Sequence, residues 1–211
     1  MKIRPVSYGS VGMTAAADAI SFPPPGFHVQ VTTQRVGSGS ERFATTRDAL
    51  LTWGMHRKAN LEIEIIEVGD NDGYQGLRQN DDGQWQLASH HREFHFASDG
   101  QAYLTPGTEI TVSGQWRSES APSAYRIIYN VNETRRCGFA WGTLDDLPLS
   151  GEEYFGLEWR DDDTVWAVVI SITAFPESRS RFLREPILRL EQRLRNRKLV
   201  KSLSPVNQAD S

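Results

Sequence analysis

The sequence predicts an α+β fold: a curved, mostly antiparallel sheet, one helix after the first strand, and a long helix at the C-terminus. Three observations carry this. Apolar and polar residues alternate in short segments from residue 27 to residue 175, each bounded by turn residues. Helical spacing occurs after the first of these segments and again at the C-terminal end. The later segments are joined by short Asp- and Asn-rich turns, which makes them a meander.

Residues 1–27 read as irregular, because the three prolines of Ser21-Phe22-Pro23-Pro24-Pro25-Gly26 remove three backbone donors. The first strand is expected from Phe27 to Val36, ending at Gly37-Ser38-Gly39. A helix follows from about Ser40 to Arg57, with Ser38 and Glu41 spaced as a capping box. Phe43, Leu50 and Gly54 share one face of that helix, and Gly54 weakens it unless something packs closely there. The next strand, Leu61 to Val68, points Leu61, Ile63 and Ile65 one way and Glu62 and Glu64 the other.

Residues 69–104 hold two turn signals, Asp70-Asn71-Asp72-Gly73 and Asn80-Asp81-Asp82-Gly83, and two strand-like pieces, Trp85 to Ala88 and Arg92 to Ala97. They read as an inserted hairpin or decorated loop with too few apolar residues for a core of its own. The meander then runs through Thr108–Trp116, Tyr125–Asn132, Arg136–Thr143, Glu152–Trp159 and Thr164–Phe175. In Tyr125–Asn132 the alternation sets Tyr125, Ile127, Tyr129 and Val131 against Arg126, Ile128 and Asn130. The terminal helix begins near Pro176 or Glu177. Leu183, Ile187, Leu190 and Leu194 follow helical spacing and predict its buried face, while Pro186 starts a second segment or kinks the helix. In element order this layout resembles the helix-grip, or START-like, proteins, which hold apolar ligands between sheet and helix, although fold alone does not fix function.

Length and composition fit one domain, residues 1–211. The single cysteine, Cys137, excludes an internal disulfide framework and fits a reducing, cytoplasmic setting. No apolar stretch follows the first residues, so no secretory signal is read. The longest purely apolar run, Val165 to Ile170, is far short of the roughly 20 residues a spanning helix needs. From Glu177 to Leu203, nine Lys or Arg stand against three Glu, a balance of +6 in a chain whose net charge is −4. Such a segment reads either as a solvated helix face or as a contact for an anionic surface; no nucleic-acid partner is expected.

Several stretches resemble a bacterial and plant family called "domain of unknown function nineteen-ninety". One is Gly37-Ser38-Gly39 followed by Phe43, Leu50 and Trp53-Gly54-Met55-His56-Arg57. The strongest is Gly138-Phe139-Ala140-Trp141-Gly142-Thr143-Leu144, then Pro148, then Gly151-Glu152-Glu153. A third is Thr164-Val165-Trp166 leading to Ala174-Phe175, and Tyr8 with Val11-Gly12 is similar to the family's opening. The resemblance spans residues 8 to 203 and is expected to fail over 69–104. It implies a single domain and a shared structural reason for these positions, and brings no reaction, substrate or cofactor with it.

Candidate chemistry is sparse. His56 near the helix end either caps the last carbonyls or faces the cleft as a polar anchor or proton carrier. Glu152 and Glu153 on one strand must point to opposite faces, so they cannot pair with each other. One facing inward, with His56, would make an acid/base dyad. Trp53, Tyr129, Trp141 and Trp166, with His56 and Glu153, are the candidate lining of a ligand pocket. His90, His91, Glu93 and His95 cluster in the insertion, but on a strand His91 and His95 stand about 13 Å apart, so no metal site is read. Asp70-Asn71-Asp72-Gly73 lacks calcium-loop spacing. No Gly-x-Ser-x-Gly, Walker or dinucleotide motif is present, and no cofactor is expected. Cys137 reads as a buried small apolar residue.

Three readings stay open: a non-catalytic binding module for a small apolar or amphipathic molecule between sheet and terminal helix; an enzyme using His56 with Glu152 or Glu153; and a peripheral binder of an anionic surface through the basic helix.

Overall fold

The structure is a computed structural model that describes residues 4–68, 77–79, 85–87, 95–114, 122–144, 149–175 and 181–205. Nine strands are described: β1 (Phe27–Ser38), β2 (Glu62–Glu67), β3 (Leu77–Gln79), β4 (Trp85–Leu87), β5 (Glu109–Ser113), β6 (Ser123–Asn132), β7 (Arg136–Thr143), β8 (Ser150–Trp159) and β9 (Thr164–Ala174). Four α-helices accompany them: α1 (Ala17–Ser21), α2 (Ser40–Leu51), α3 (Gly54–Lys58) and α4 (Arg181–Ser202). Seven strands form one antiparallel sheet in the order β1-β9-β8-β7-β6-β5-β2. The predicted α+β, helix-grip order is therefore observed: a meander whose last strand closes onto the first, followed by a long terminal helix. Among the described residues the strands β3 and β4 pair with each other in a separate two-stranded sheet. The turn at 70–73, His90, His91, Glu93 and the expected helix start at 176–177 lie outside the described residues.

The side-chain period of two sorts each strand between two faces. On β7, Cys137, Phe139 and Trp141 point into the main core, while Gly138, Ala140 and Gly142 point to the opposite face. On that outer face the small residues make room for aromatic rings lying flat. A Cβ on Gly142 would come 2.2 Å from the Tyr8 hydroxyl, and one on Gly156 of β8 would come 2.4 Å from the Tyr154 ring. The N-terminal segment uses this room. Tyr8, Met13 and partly buried Val6 and Val11 pack against Ile170 and Ile172 of β9 and cover the outer face. Within the stretch 1–27 that reads as irregular, the described residues 4–26 are thus a second layer of the fold.

Three local expectations are corrected. The helix predicted from Ser40 to Arg57 is two helices, because Trp53 takes a left-handed conformation (φ 69°) between α2 and α3. Gly54 follows it because an added Cβ would lie 2.6 Å from the Ala49 carbonyl oxygen, so the close packing its presence called for is the backbone of α2. The capping box is absent: Gly39 is the N-cap residue with no side-chain bond, and Ser38 belongs to β1 and accepts a bond from Arg35. On β6, a register shift between Ile127 and Tyr129 inserts one extra residue, which moves Tyr129 and Val131 to the outer face with Ile128 and Tyr154.

The fourth correction concerns α4. It runs unbroken through Pro186, and its expected buried stripe is outside: Ile187, Leu190 and Leu194 are 61%, 55% and 49% exposed. The face turned to the sheet carries Gln192, Arg195, Asn196, Leu199 and Val200, all buried, and Leu203 just past the helix is buried as well.

Replacing Gly142 with Ala forces the Tyr8 ring off the outer face. The expected result is a loss of about 1–3 kcal/mol in urea unfolding and faster proteolysis confined to the N-terminal segment. Wild-type stability and protection in Gly142→Ala would show that this close approach does not hold the segment.

Candidate functional site

The concave face has a polar row that the strand register dictates. Gln30 of β1 stands opposite Ser171 of β9, Ser171 opposite Glu153 of β8, and Glu153 opposite Trp141 of β7. Neighbouring strands bring such partners within about 5 Å. Here they bond: the Trp141 indole donates to Glu153 at 3.1 Å and the Ser171 hydroxyl donates to Glu153 at 2.7 Å. Directly above, α4 presents Gln192, Arg195 and Asn196, which helical spacing puts on one face. Arg195 forms a buried ion pair with Glu153. Gln192 donates to Glu153 at 3.3 Å and to Thr173 at 3.2 Å, and Asn196 donates to Ser171 at 2.9 Å. The middle of α4 is therefore held to the sheet by charge and hydrogen bonds, and its C-terminal turns by Leu199, Val200 and Leu203 in the apolar core.

Beside this row lies an aromatic cluster. His56 of α3 is fully buried, with ring centroids 4.8 Å from Phe155, 4.9 Å from Trp141, 5.5 Å from Trp53 and 5.8 Å from Phe139. Neither ring nitrogen has a hydrogen-bond partner. Burial, reinforced by the Arg195 charge, pushes the imidazole down to about 3, so His56 is neutral at ordinary pH. Its side chain does not cap the helix. The carbonyl of His56 instead accepts from Ala59 and Leu61.

The expected residues separate cleanly. Trp53, His56, Trp141 and Glu153 meet on the concave side, where Trp141 touches both His56 and Glu153. No hydrogen bond joins His56 to Glu153. Tyr129 is on the outer face, bonded through its hydroxyl to Thr14 at 2.8 Å. Trp166 is outside the core, under the Arg160 guanidinium at 4.4 Å. Glu152 and Glu153 do point to opposite faces. Glu152 is buried beneath the N-terminal segment, accepting from the Tyr8 hydroxyl (2.8 Å), the Gly12 N–H (2.7 Å), the Thr14 N–H (2.9 Å) and the Thr14 hydroxyl. All its acceptor capacity is spent on anchoring that segment. Cys137 is buried and its thiol is pushed up to about 12 by burial, which leaves it inert. Among the described residues the space at this row is small. A cavity of about 10 Å³, lined in part by Tyr125, Thr143, Glu153, Gln192 and Arg195, offers room for roughly one water. Sequence reasoning missed Arg195, Gln192, Asn196 and Ser171. Their signal was present in the spacing Gln192, Arg195, Asn196, Leu199, which is helical but not apolar.

Among the described residues no group of three His, Cys, Asp or Glu is placed to hold a metal ion, and no helix is long and apolar enough to cross a membrane.

The sequence profile of the family described as Domain of unknown function (DUF1990) matches residues 7–77 and 83–202. The chain belongs to this family. The match breaks only at 78–82, so the family pattern continues through most of the 69–104 stretch where the resemblance was expected to fail. The DUF1990 match covers both Tyr8 and Glu152, and both Glu153 and Arg195. No curated protein matches the chain by sequence. Solved structures of similar shape include a hypothetical protein, jhp0584, from Helicobacter pylori (TM-score 0.47, 10% identity, covering 95% of this chain and 96% of that one). Ara h 8.0201 is another (TM-score 0.42, 11% identity, 83% and 98% covered). A third is the di-domain ARO/CYC BexL from the BE-7585A biosynthetic pathway (TM-score 0.47, 10% identity, 92% and 54% covered).

Two outcomes are expected. Glu153→Gln leaves Arg195 buried without its counter-charge and lowers stability by about 3–5 kcal/mol in urea, while Glu153→Leu combined with Arg195→Met recovers much of that loss. Equal loss in both variants would mean that packing, and not charge, holds α4. The second concerns pH. A base whose folded pKa is depressed is favoured neutral by the fold, so the unfolded chain takes up its proton first as pH falls. His56 therefore subtracts about 1.4 kcal/mol per pH unit from below about 6.5 down to about 3. His56→Leu should flatten that part of the stability profile, and an unchanged slope would place the imidazole in contact with water.

Proposed function

We propose that the protein is a non-catalytic binding module that takes one small molecule with a polar tip and an apolar body between its concave face and α4. The observation that carries this is His56. Two ring nitrogens, one of which must bear a proton, are buried without partners, whereas over nine-tenths of buried polar groups in folded proteins are paired. They lie among the aromatic rings of Trp53, Trp141 and Phe155 and next to the Glu153–Arg195 pair. A ligand that hydrogen-bonds His56 and lays an apolar part on those rings would relieve this strain.

The water-sized cavity sets a condition on the ligand. Anything larger enters by moving the middle of α4. Polar contacts hold that part of the helix, and a ligand's own polar group can replace them, while Leu199, Val200 and Leu203 keep the far end anchored. The acid/base alternative is disfavoured by the same surroundings. A base with its pKa near 3 is poorly matched to neutral pH, where catalytic bases are most effective, and Glu153 is already engaged by Arg195, Ser171 and Trp141.

The test is mass spectrometry of small molecules released when gently purified protein is denatured. A reproducible compound at near-stoichiometric amount is expected from the wild type and not from His56→Leu. That variant should remain folded at pH 7 because it removes an unsatisfied polar group. A blank from the wild type, or the same compound retained by His56→Leu, overturns the reading.

A further inference from the structure

The face of α4 turned away from the sheet has no role in the grip, and its composition is unusual for a solvated helix. Ile187, Leu190, Leu194, Lys198 and Lys201 recur at intervals of three or four residues, so they form one stripe about 21 Å long. The first three are about half exposed or more. Arg193 and Arg197 flank the stripe, also exposed. Among the described residues no ion pair engages Arg193, Arg197, Lys198 or Lys201, whereas Arg189 is held by Glu185. From Ile187 to the end of α4 the sole acid is Glu191, which is half-buried.

From this stripe we infer that α4 docks the protein onto an anionic lipid surface, with Leu190 and Leu194 entering the headgroup boundary and the four cations among the phosphates. The charges select this occupant. A second copy meeting the stripe face to face would gather eight cations into one interface and set Lys198 and Lys201 against the aliphatic end of the other copy. A polyanion without an apolar layer, such as a nucleic acid, would leave three large aliphatic side chains in water. An anionic bilayer satisfies both sets, as surface-lying amphipathic helices do. The sequence alone pointed to the positive charge; the structure adds that Arg195 is withdrawn into the core and that the exposed remainder is interleaved with aliphatic residues. The inference does not depend on the ligand proposal, since none of these side chains lines the cavity.

The experiment is flotation of the full chain with vesicles of phosphatidylserine and phosphatidylcholine, against phosphatidylcholine alone. Binding to the anionic vesicles only is expected, weakening as salt rises. Lys198→Gln with Lys201→Gln should weaken partitioning about fivefold per residue. Leu190→Ser with Leu194→Ser should weaken it by at least as much, and both variants should melt at or above the wild-type temperature because the altered side chains are exposed. Failure to bind anionic vesicles overturns the inference, as does binding that ignores both variants. So does a dimer in sedimentation velocity that Leu190→Ser with Leu194→Ser dissolves, which would make a second copy the occupant.

Discussion

Glu153 and Arg195 leave water together, one from the sheet and one from the helix that closes it. Removing two ions from water costs several kcal/mol each, and their attraction offsets this only if the remaining lone pairs and protons also find partners. The surroundings supply them: Trp141, Ser171 and Gln192 donate to the carboxylate, and Asn196 accepts from the guanidinium while bonding Ser171. This requirement reaches far along the chain. It fixes the register of β7, β8 and β9, because a slip of one residue would turn Glu153 outward. It fixes the rotation of α4, because only one face carries Gln192, Arg195 and Asn196. It also explains why Ile187, Leu190 and Leu194 of that helix are left outside.

The adjacent carboxylate has the opposite fate by the same rule. Strand pleating sends Glu152 to the other face, where it is buried by the chain's own N-terminal segment and satisfied by two backbone N–H groups and two hydroxyls. One dipeptide thus anchors a layer on each side of the sheet. The glycines and alanine of β7 cooperate by leaving the outer face shallow enough for Tyr8 to reach Glu152.

The succession of elements along the chain and most strand limits were legible because alternation is a local signal, and Arg136–Thr143 was read to the residue. What escaped was non-local. A single inserted residue at Ile128 reverses the faces beyond it, and nothing in Tyr125–Asn132 marks it, so Tyr129 was placed inside. The apolar period of α4 was real but its direction was misread, because a helix facing a polar row buries its polar side. The N-terminal layer was hidden because half of its bonds to Glu152 come from the main chain, which no residue type announces. That Trp53 and Gly54 break the helix was signalled by Gly54, but the αL turn at Trp53 was not. Of the candidate residues, those near the strongest motif, Trp141 and Glu153, came together with Trp53 and His56; Tyr129 and Trp166 did not.

The pairing of β1 with β9 has a consequence for how the chain comes to be folded. Phe27 pairs across to Ala174, so the neighbour that the first strand has among the described residues lies 147 residues further along the chain. At about 5–20 residues per second, a ribosome leaves that strand without its partner for on the order of ten seconds or more. Contacts so distant in sequence also form slowly once both halves exist. During that interval the alternating side chains of Phe27–Ser38 present an open, aggregation-prone edge to the cell. The helix that carries Arg195 emerges later still, so the carboxylate of Glu153 must wait for its counter-charge until 42 further residues have been made.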